Sequence, residues 1–488
     1  MKIGIVLRVL SLISLIVSLF MLVPLALALW DGTPDARAFA ISLICGLLVS
    51  LLLSLGGKGS RTRSDLGIRE ALGIVALSWA IASGVGALPY WSCGVTPSYT
   101  DAFFETMSGF TTTGATILND IEASPRGILL WRSLTHWMGG MGIIVLSLAV
   151  LPFLGIGGME LFKTEVPGVT QEKLTPRLQQ TAMLLWGVYV LLTFAETLLL
   201  MLGGMSLFDA FAHSCSTIAT GGFSTKNTSI AWFHSAYIEW VITFFMFASG
   251  INFSLYFLLA ARNFRGFFGD EELRWYAGIA MTAVAAMTIS LVLSGKSAVS
   301  FEPSLRRSAF HVVSVMTTTG FTTDDFDMWP EFARFLFLLL MILGASGGST
   351  GGGCKVVRFL LMGRQLKVET LRLLHPRAVI NVRLNGRPVP RGIMDSTAAF
   401  LVLYALLVMA GTLIATAFSH PNLDLLSAFS GAITCLSNVG PGLNTLGAVE
   451  NFAWLPAGVK WLFSFLMLAG RLELFAVVLL FLPGTWAR

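Results

Sequence analysis

Asp101-Ala102-Phe103, followed by Thr111-Thr112-Thr113-Gly114-Ala115-Thr116, is the stretch on which the fold turns, because it returns three more times. The second copy is Asp209-Ala210-Phe211 with Ala219-Thr220-Gly221-Gly222-Phe223-Ser224. The third is Ser308-Ala309-Phe310 with Thr317-Thr318-Thr319-Gly320-Phe321-Thr322. The fourth is Ser427-Ala428-Phe429 with Ser437-Asn438-Val439-Gly440-Pro441-Gly442. Copies one, two and four keep the same distance from the Ala-Phe pair to the aligned glycine; the third is one residue shorter. Repetition of this kind is the first thing to establish in a chain, since a missed repeat misassigns the whole fold.

The surroundings of each copy are apolar. Of the 488 residues 55% are hydrophobic and 12% charged, about half the charge of an ordinary soluble domain. Such a chain cannot cover a water-facing surface, so its solvent is lipid. Ten apolar runs, several near the roughly 20 residues a bilayer crossing needs, lie at 9–30, 38–55, 71–90, 127–154, 182–202, 237–261, 275–293, 332–361, 398–418 and 455–482. Lys2 and Arg8 ahead of the first run, with Ala26-Leu27-Ala28 at its end, resemble a cleavable signal. The run is long for a signal and a second run follows closely, so it reads as a retained span.

Charge placement supports the count. Lys58, Arg61, Arg63 and Arg69 lie between runs two and three; Lys163, Lys173 and Arg177 between four and five; Arg262, Arg265 and Arg274 between six and seven. The densest basic stretch is Arg358–Arg391. Ten spans put all of these on one side, which the positive-inside tendency makes cytoplasmic, together with both termini. Acidic segments such as Asp324-Asp325-Phe326-Asp327 fall on the other side. The net charge of +5 is thereby explained without a nucleic-acid partner.

Each repeated strip lies between two runs, opposite the basic loops. A short apolar helix, too short to cross, gives way to Thr, Ser, Asn and Gly. This is the pattern of a re-entrant loop, which membrane depth tolerates only against protein or water. Gly114, Gly222, Gly320 and Gly440 can take backbone angles closed to other residues. Such angles let the carbonyls of 112–115, 220–223, 318–321 and 438–441 line an axis. Uncharged oxygens suit a weakly hydrated monovalent cation, whereas divalent ions usually draw carboxylates. The expected filter residues are Thr112, Thr113, Gly114, Thr220, Gly221, Gly222, Thr318, Thr319, Gly320, Asn438, Val439 and Gly440. The expected fold is an all-α integral membrane protein: four tandem helix–pore loop–helix repeats around one pore, after two N-terminal transmembrane helices. Boundaries follow at 1–66, 67–177, 178–272, 273–392 and 393–488.

Met107–Thr116, Ser216–Thr225, Met316–Thr323 and Cys435–Gly442 resemble the membrane subunit of bacterial Trk potassium-uptake systems, within the Trk/Ktr/HKT superfamily. His136-Trp137-Met138-Gly139-Gly140-Met141-Gly142 and Gly470-Arg471-Leu472-Glu473 add to the likeness, which spans nearly the whole chain. The resemblance implies potassium uptake across an inner membrane, a homodimer with a pore in each protomer, and a cytoplasmic partner that binds the regulatory nucleotide. It implies no cofactor on this chain; potassium is cargo. Copy four departs from the pattern with Ser437, Asn438, Val439 and Pro441, so a sodium-coupled or weakly selective carrier of the same fold is the alternative.

Gly344–Gly353 interrupts the eighth run with glycines at 344, 347, 348, 351, 352 and 353, a composition that disfavours helix. It lacks the lysine of a phosphate-binding loop. The functional reading is an intramembrane gate, which the resemblance also implies. Arg471 sits inside the last apolar run, where an arginine faces water or a partner; with the resemblance it reads as a positive barrier. Glu473, two residues on, points elsewhere on a helix. His136 reads as a packing residue, and Glu196 has no assigned role. Five cysteines without paired spacing and six scattered histidines suggest neither disulfides, nor a metal site, nor an enzyme.

Overall fold

The computed structural model describes residues 3–57, 68–149, 174–294, 301–378, 380–475 and 477–478. Lys58, Arg61, Arg63, Lys163 and Lys173 lie outside them. The described residues are mostly helical. Two N-terminal spans, Ile3–Asp31 and Asp35–Gly56, pack through small residues: the Ser14 hydroxyl donates to the Gly46 carbonyl at 3.0 Å, and that of Ser50 to the Ser11 carbonyl at 2.8 Å. Hydroxyl bonds of this kind hold helices together where no water drives them.

Four repeats follow, each an inbound helix, a re-entrant helix, an extended strip and an outbound helix. Inbound helices are Ile68–Gly86 continued by Leu88–Ser92, then Leu174–Leu202, Glu271–Leu293 and Arg391–Ala417. Re-entrant helices are Tyr99–Phe110, Leu207–Ile218, Phe301–Met316 and Leu425–Ser437. The boundaries expected at 178, 273 and 393 fall just inside inbound helices, because Asp270 caps the third, accepting from the Leu273 N–H at 2.8 Å, and Pro390 precedes the fourth.

Re-entrant helices start where a side chain satisfies the first free amides. Ser98 accepts from the Asp101 N–H and donates to its carboxylate; Ser206 treats Asp209 the same way; Asp424 accepts from the Ser427 N–H. Polarity is arranged inside out. Leu191, Phe194, Met281, Met409 and Leu413 are exposed on inbound helices, while Thr113, Thr220, Thr318 and Asn438 are buried. Among the described residues six helices are long and apolar enough to cross a membrane, or seven if the bent pair Ala236–Ser249 and Phe253–Ala260 is one span. Fewer than the ten apolar runs qualify in part because three of the four outbound helices break; the first, Arg126–Ala149, is continuous.

Three of those breaks are findings. The run at 237–261 bends by 97° where Asn252 caps the new helix, accepting from the Ser254 N–H at 2.9 Å. The outbound helix of repeat 3 stops at Leu343 and resumes as Val356–Leu374. The last outbound helix, Ala457–Arg471, ends at the arginine expected mid-span, and Glu473 and Leu474 take positive φ. The one-residue shortening of repeat 3 also changes meaning. All four re-entrant helices close with the same six-residue ring: Thr113 N–H to Ser108 carbonyl, Gly221 to Ser216, Thr319 to Ser314 and Val439 to Thr434, at 2.8, 2.8, 2.8 and 3.0 Å. Nothing is missing there; Ala309-Phe310 simply occupies another phase of the helix.

Candidate functional site

Each of these closures places its penultimate residue in the left-handed region, a position usually given to glycine or asparagine. Here the residues are Thr112, Thr220, Thr318 and Asn438, at φ 52°, 54°, 60° and 57°. Two residues later Gly114, Gly222, Gly320 and Gly440 are again at positive φ, 83°, 81°, 82° and 103°. Three threonines held in a region their branched side chains disfavour mark a backbone determined by its surroundings.

Those surroundings form a closed ring. A β-carbon added to Gly114 would overlap the Gly221 carbonyl oxygen; to Gly222, that of Thr319; to Gly320, that of Val439; to Gly440, that of Thr113 at 2.6 Å. Strip one thus touches two, two touches three, three touches four and four touches one, each through a carbonyl at the same place. The twelve residues expected at the filter are brought together in one annulus. Re-entrant helices deliver their C-terminal ends to it, each with roughly half a negative charge.

A second ring closes the mouth beside it. The Ile121 N–H donates to Asn227 Oδ1 at 2.7 Å, and the Asn227 amide to Asp120 at 3.0 Å. The Ile230 N–H reaches the Thr322 carbonyl, the Asn444 N–H reaches Asp327, and the Phe452 N–H reaches the Thr116 carbonyl. The bond from the Asn227 amide, with one from the Ala123 N–H, holds the Asp120 carboxyl below its usual range.

Beneath the annulus the fourfold order ends. The segment from Gly344 to Lys355 leaves and re-enters through a narrow neck: the Cys354 N–H reaches the Ile342 carbonyl and the Val356 N–H that of Ala345, both at 3.0 Å. Gly344, Gly348 and Gly353 are at φ 73°, 73° and 70°, and a β-carbon on Gly353 would come within 2.7 Å of Gly344 Cα. The loop presses upward on the filter. The Gly352 N–H donates to Thr318 Oγ1 at 2.6 Å, and the Gly353 N–H to the Ser437 carbonyl at 2.9 Å. Gly351 lies under the Thr317 carbonyl, 2.9 Å from where its β-carbon would be. Thr350 Oγ1 lies 3.0 Å from the Ile218 carbonyl and 3.3 Å from that of Ser249.

Arg471 joins this loop to the rest. Its guanidinium donates to the Thr350 carbonyl at 2.7 Å and the Gly139 carbonyl at 3.4 Å, and its Nε has no partner. Among the described residues it forms no ion pair; Glu473 instead pairs with Arg358. At the other end, the Gly347 N–H donates to Glu272 at 2.6 Å. The adjacent Glu271 pairs with Arg364 at 2.7 Å, and Asp270 receives the Asn385 amide at 2.9 Å. The loop is therefore tied to the basic helix Val356–Leu374 and to the hairpin of 383–384 with 387–388.

His136 stacks on Phe223 at 4.1 Å and backs Gly221. Glu196 is buried on the second inbound helix. Two residues that sequence reasoning missed support the first strip. Arg132 donates to Glu105 at 2.8 Å, to the Ser224 carbonyl at 2.9 Å and to Thr116 Oγ1 at 3.1 Å, with both partners of the ion pair buried. Removing either would leave the other charged and unpaired.

Four tandem re-entrant repeats closing one annulus of backbone define a multi-pass membrane transport protein rather than an enzyme. Residues 39–485 match the family model described as TrkH, cation transport protein, and the chain belongs to that family. It is 40% identical over 484 residues to "Trk system potassium uptake protein TrkH" of Salmonella typhimurium, covering 98% of each chain. It is 38% identical over 491 residues to the protein of that name from Halomonas elongata, covering 100% of both. The solved structure of the potassium transporter TrkH from Vibrio parahaemolyticus superimposes with a TM-score of 0.90 at 35% identity, covering 100% of each chain.

Proposed function

We propose that this protein carries potassium into the cell across the bacterial inner membrane, passing the ion through the annulus of carbonyls at 112–115, 220–223, 318–321 and 438–441. The closed contact order of the four glycines carries this reading. Left-handed residues on either side of Thr113, Gly221, Thr319 and Val439 turn the carbonyls of these four residues out of helical bonding, and among the described residues no hydrogen bond reaches them. Those four oxygens are then free to replace a cation's water, whereas the Phe321 and Pro441 carbonyls accept from the Ser314 and Thr434 hydroxyls at 2.7 and 3.0 Å. That relatives are named as potassium uptake proteins supports the choice of ion.

In this reading 344–355 is the gate and Arg471 its pin and its charge barrier. A nucleotide-binding cytoplasmic subunit acts on the gate through the basic helix, and two copies of the chain assemble as a homodimer in lipid with both termini cytoplasmic. Rubidium uptake into proteoliposomes, with sodium and proton gradients imposed separately, tests the ion. Uptake that rises with rubidium and ignores a sodium gradient is expected. Uptake that requires a sodium gradient, or that sodium blocks as well as potassium does, would favour the sodium-coupled or weakly selective reading. One observation keeps that reading in view: in strip four the Asn438 amide turns to Thr113 Oγ1 and the Met467 carbonyl, at 3.0 and 2.9 Å, a bonding pattern the threonines of the other strips do not share.

A further inference from the structure

An extended strip whose carbonyls face an axis presents its amides to the protein behind it, and buried amides need acceptors. In this chain the acceptors come from one level of the re-entrant helices. In repeat 1 the Ile117 N–H and the Thr116 hydroxyl donate to the Glu105 carboxylate at 2.8 and 2.9 Å. In repeat 3 the Thr323 N–H donates to His311 Nε2 at 3.3 Å. In repeat 4 the Leu443 N–H donates to Ser430 Oγ at 3.0 Å. Ile117, Thr323 and Leu443 stand at the same place after their filter glycines. Repeat 2 makes the link one residue earlier, from the Ser224 hydroxyl to His213 Nε2 at 2.9 Å. Glu105, His213 and His311 stand at the same place before those glycines, and all four acceptors are fully buried.

The two imidazoles are oriented alike. Nδ1 of His213 lies 2.7 Å from the Asp209 carbonyl and Nδ1 of His311 lies 2.9 Å from that of Arg307. A carbonyl only accepts, so Nδ1 carries the proton and Nε2 is the acceptor. Nε2 of His311 lies 3.3 Å from both the Thr323 nitrogen and the Asp324 carbonyl; with Nδ1 protonated, the neutral ring accepts from the first and leaves the second unbonded. The Ser224 hydroxyl agrees, since its oxygen already accepts the Lys226 N–H at 3.0 Å.

We propose that Glu105, His213, His311 and Ser430 are positioning residues that set the ion preference of the filter. Each accepts a hydrogen bond from the strip just beyond the filter glycine and so fixes how far that strip can give. The proposal rests on the filter reading above. Glycine at positive φ is the most yielding point of each strip, and the brace holds the chain immediately after it. None of the four touches the ion. Three different side chains and one bond to a hydroxyl achieve a common geometry, which argues that the acceptor, rather than any one residue type, is what the position requires.

The test uses the full-length protein in proteoliposomes and reads rubidium against sodium flux, with the thermal midpoint and gel-filtration profile recorded beside it. His311→Phe removes the acceptor in a pocket already lined by Phe326, Trp329 and Phe337. His311→Gln restores an acceptor, and Ser430→Ala removes one at almost no change in volume. His311→Phe and Ser430→Ala should each lower the rubidium-over-sodium ratio by about tenfold, and His311→Gln should return it to within about threefold of the parent. A parental ratio in folded His311→Phe and Ser430→Ala would overturn the brace. If Gly320→Ser, measured alongside, still destroys the preference, the filter reading survives that result. If Gly320→Ser also leaves the ratio unchanged, the filter assignment itself falls. Should His311→Phe not fold, Ser430→Ala decides by the same criterion.

Discussion

The four strips and the loop beneath them both depend on glycine and differ in almost every physical respect. In the filter each repeat contributes one strip, each strip has the same two left-handed positions, and each glycine meets a carbonyl of its neighbour. No strip can move without displacing the next. The loop comes from repeat 3 alone and is held by scattered hydrogen bonds to all four repeats: to Thr318, to Ser437, to Ile218, Ser249, Gly250 and Phe253 of repeat 2 and, by way of Arg471, to Gly139. Bonds of this kind contribute about 1 kcal/mol each, so they can be exchanged one at a time. Glycine therefore does two jobs. In a ring it permits close backbone approach and rigidity; in a lone loop it permits the chain to be re-laid. A selective element and a movable one need that contrast.

The contrast can be broken first at the ring. Gly114→Ser, Gly222→Ser, Gly320→Ser and Gly440→Ser each drive a side chain into a backbone carbonyl that cannot withdraw. Potassium-over-sodium preference should fall by about a hundredfold in each, with less effect on assembly. Preserved preference in all four would remove the distinction between the regions.

Arg471 probes the junction. With the protein's effective dielectric near 20, its charge about 7 Å from a passing cation opposes it by roughly 2 kcal/mol. Arg471→Gln also loosens the hold on the Thr350 carbonyl. Rubidium flux per folded protein should rise by about tenfold or more; flux at or below the parental level, with folding intact, would reject the barrier. Deleting Gly347–Gly352 should raise flux in the absence of the partner by about tenfold. A folded deletion protein that conducts less would make the loop a structural kink.

The basic helix is a weaker lever. Removing charge from Arg364, Lys367, Arg372 and Arg377 together would confound two effects, since Arg364 pairs with Glu271 and Arg372 holds Glu369 and the Ile380 carbonyl. Neutralising Lys367 and Arg377 alone should weaken binding of the cytoplasmic partner by about threefold, more at low salt, and leave ion preference untouched. The smallest effect is expected at the mouth. The Asp120 pKa is lowered in the folded protein, so its bond to Asn227 is complete above the ordinary carboxylate range and is lost only as pH falls through the lowered value. Flux should therefore be level between about pH 7 and 5 as far as Asp120 is concerned, and a fall there that Asp120→Asn abolishes would contradict this.

What could be read from the residues, and what could not, divides along physical lines. Repetition exposed the filter glycines, because four copies of one environment leave four copies of one residue. Thr112, Thr220 and Thr318 carry no sign of a left-handed backbone, since their strain is imposed by contacts with other repeats. The bend at Gly250–Asn252 hides in a largely apolar run; the Asn252 cap and the approach of the loop, where the Phe253 N–H meets the Gly348 carbonyl at 3.1 Å, account for it together. Arg471 was legible as a costly charge, but its place at a helix end was not, because the apolar run continues past it. Glu105 and Arg132 were missed for want of any spacing rule linking residues on separate helices. His213 and His311 had a usable signal, a constant distance before the filter glycine, obscured by aligning repeat 3 on its Ala-Phe pair.

The central claim is that a cation sits on the axis of the four strips, coordinated by their carbonyls. Anomalous scattering from crystals of the protein grown in rubidium tests it without an assay of transport. The account predicts density on that axis at the level of the Thr113, Gly221, Thr319 and Val439 carbonyls, lost in Gly222→Ser. Rubidium density confined to the acidic mouth near Asp120 and Asp327, with none between the strips, would contradict it.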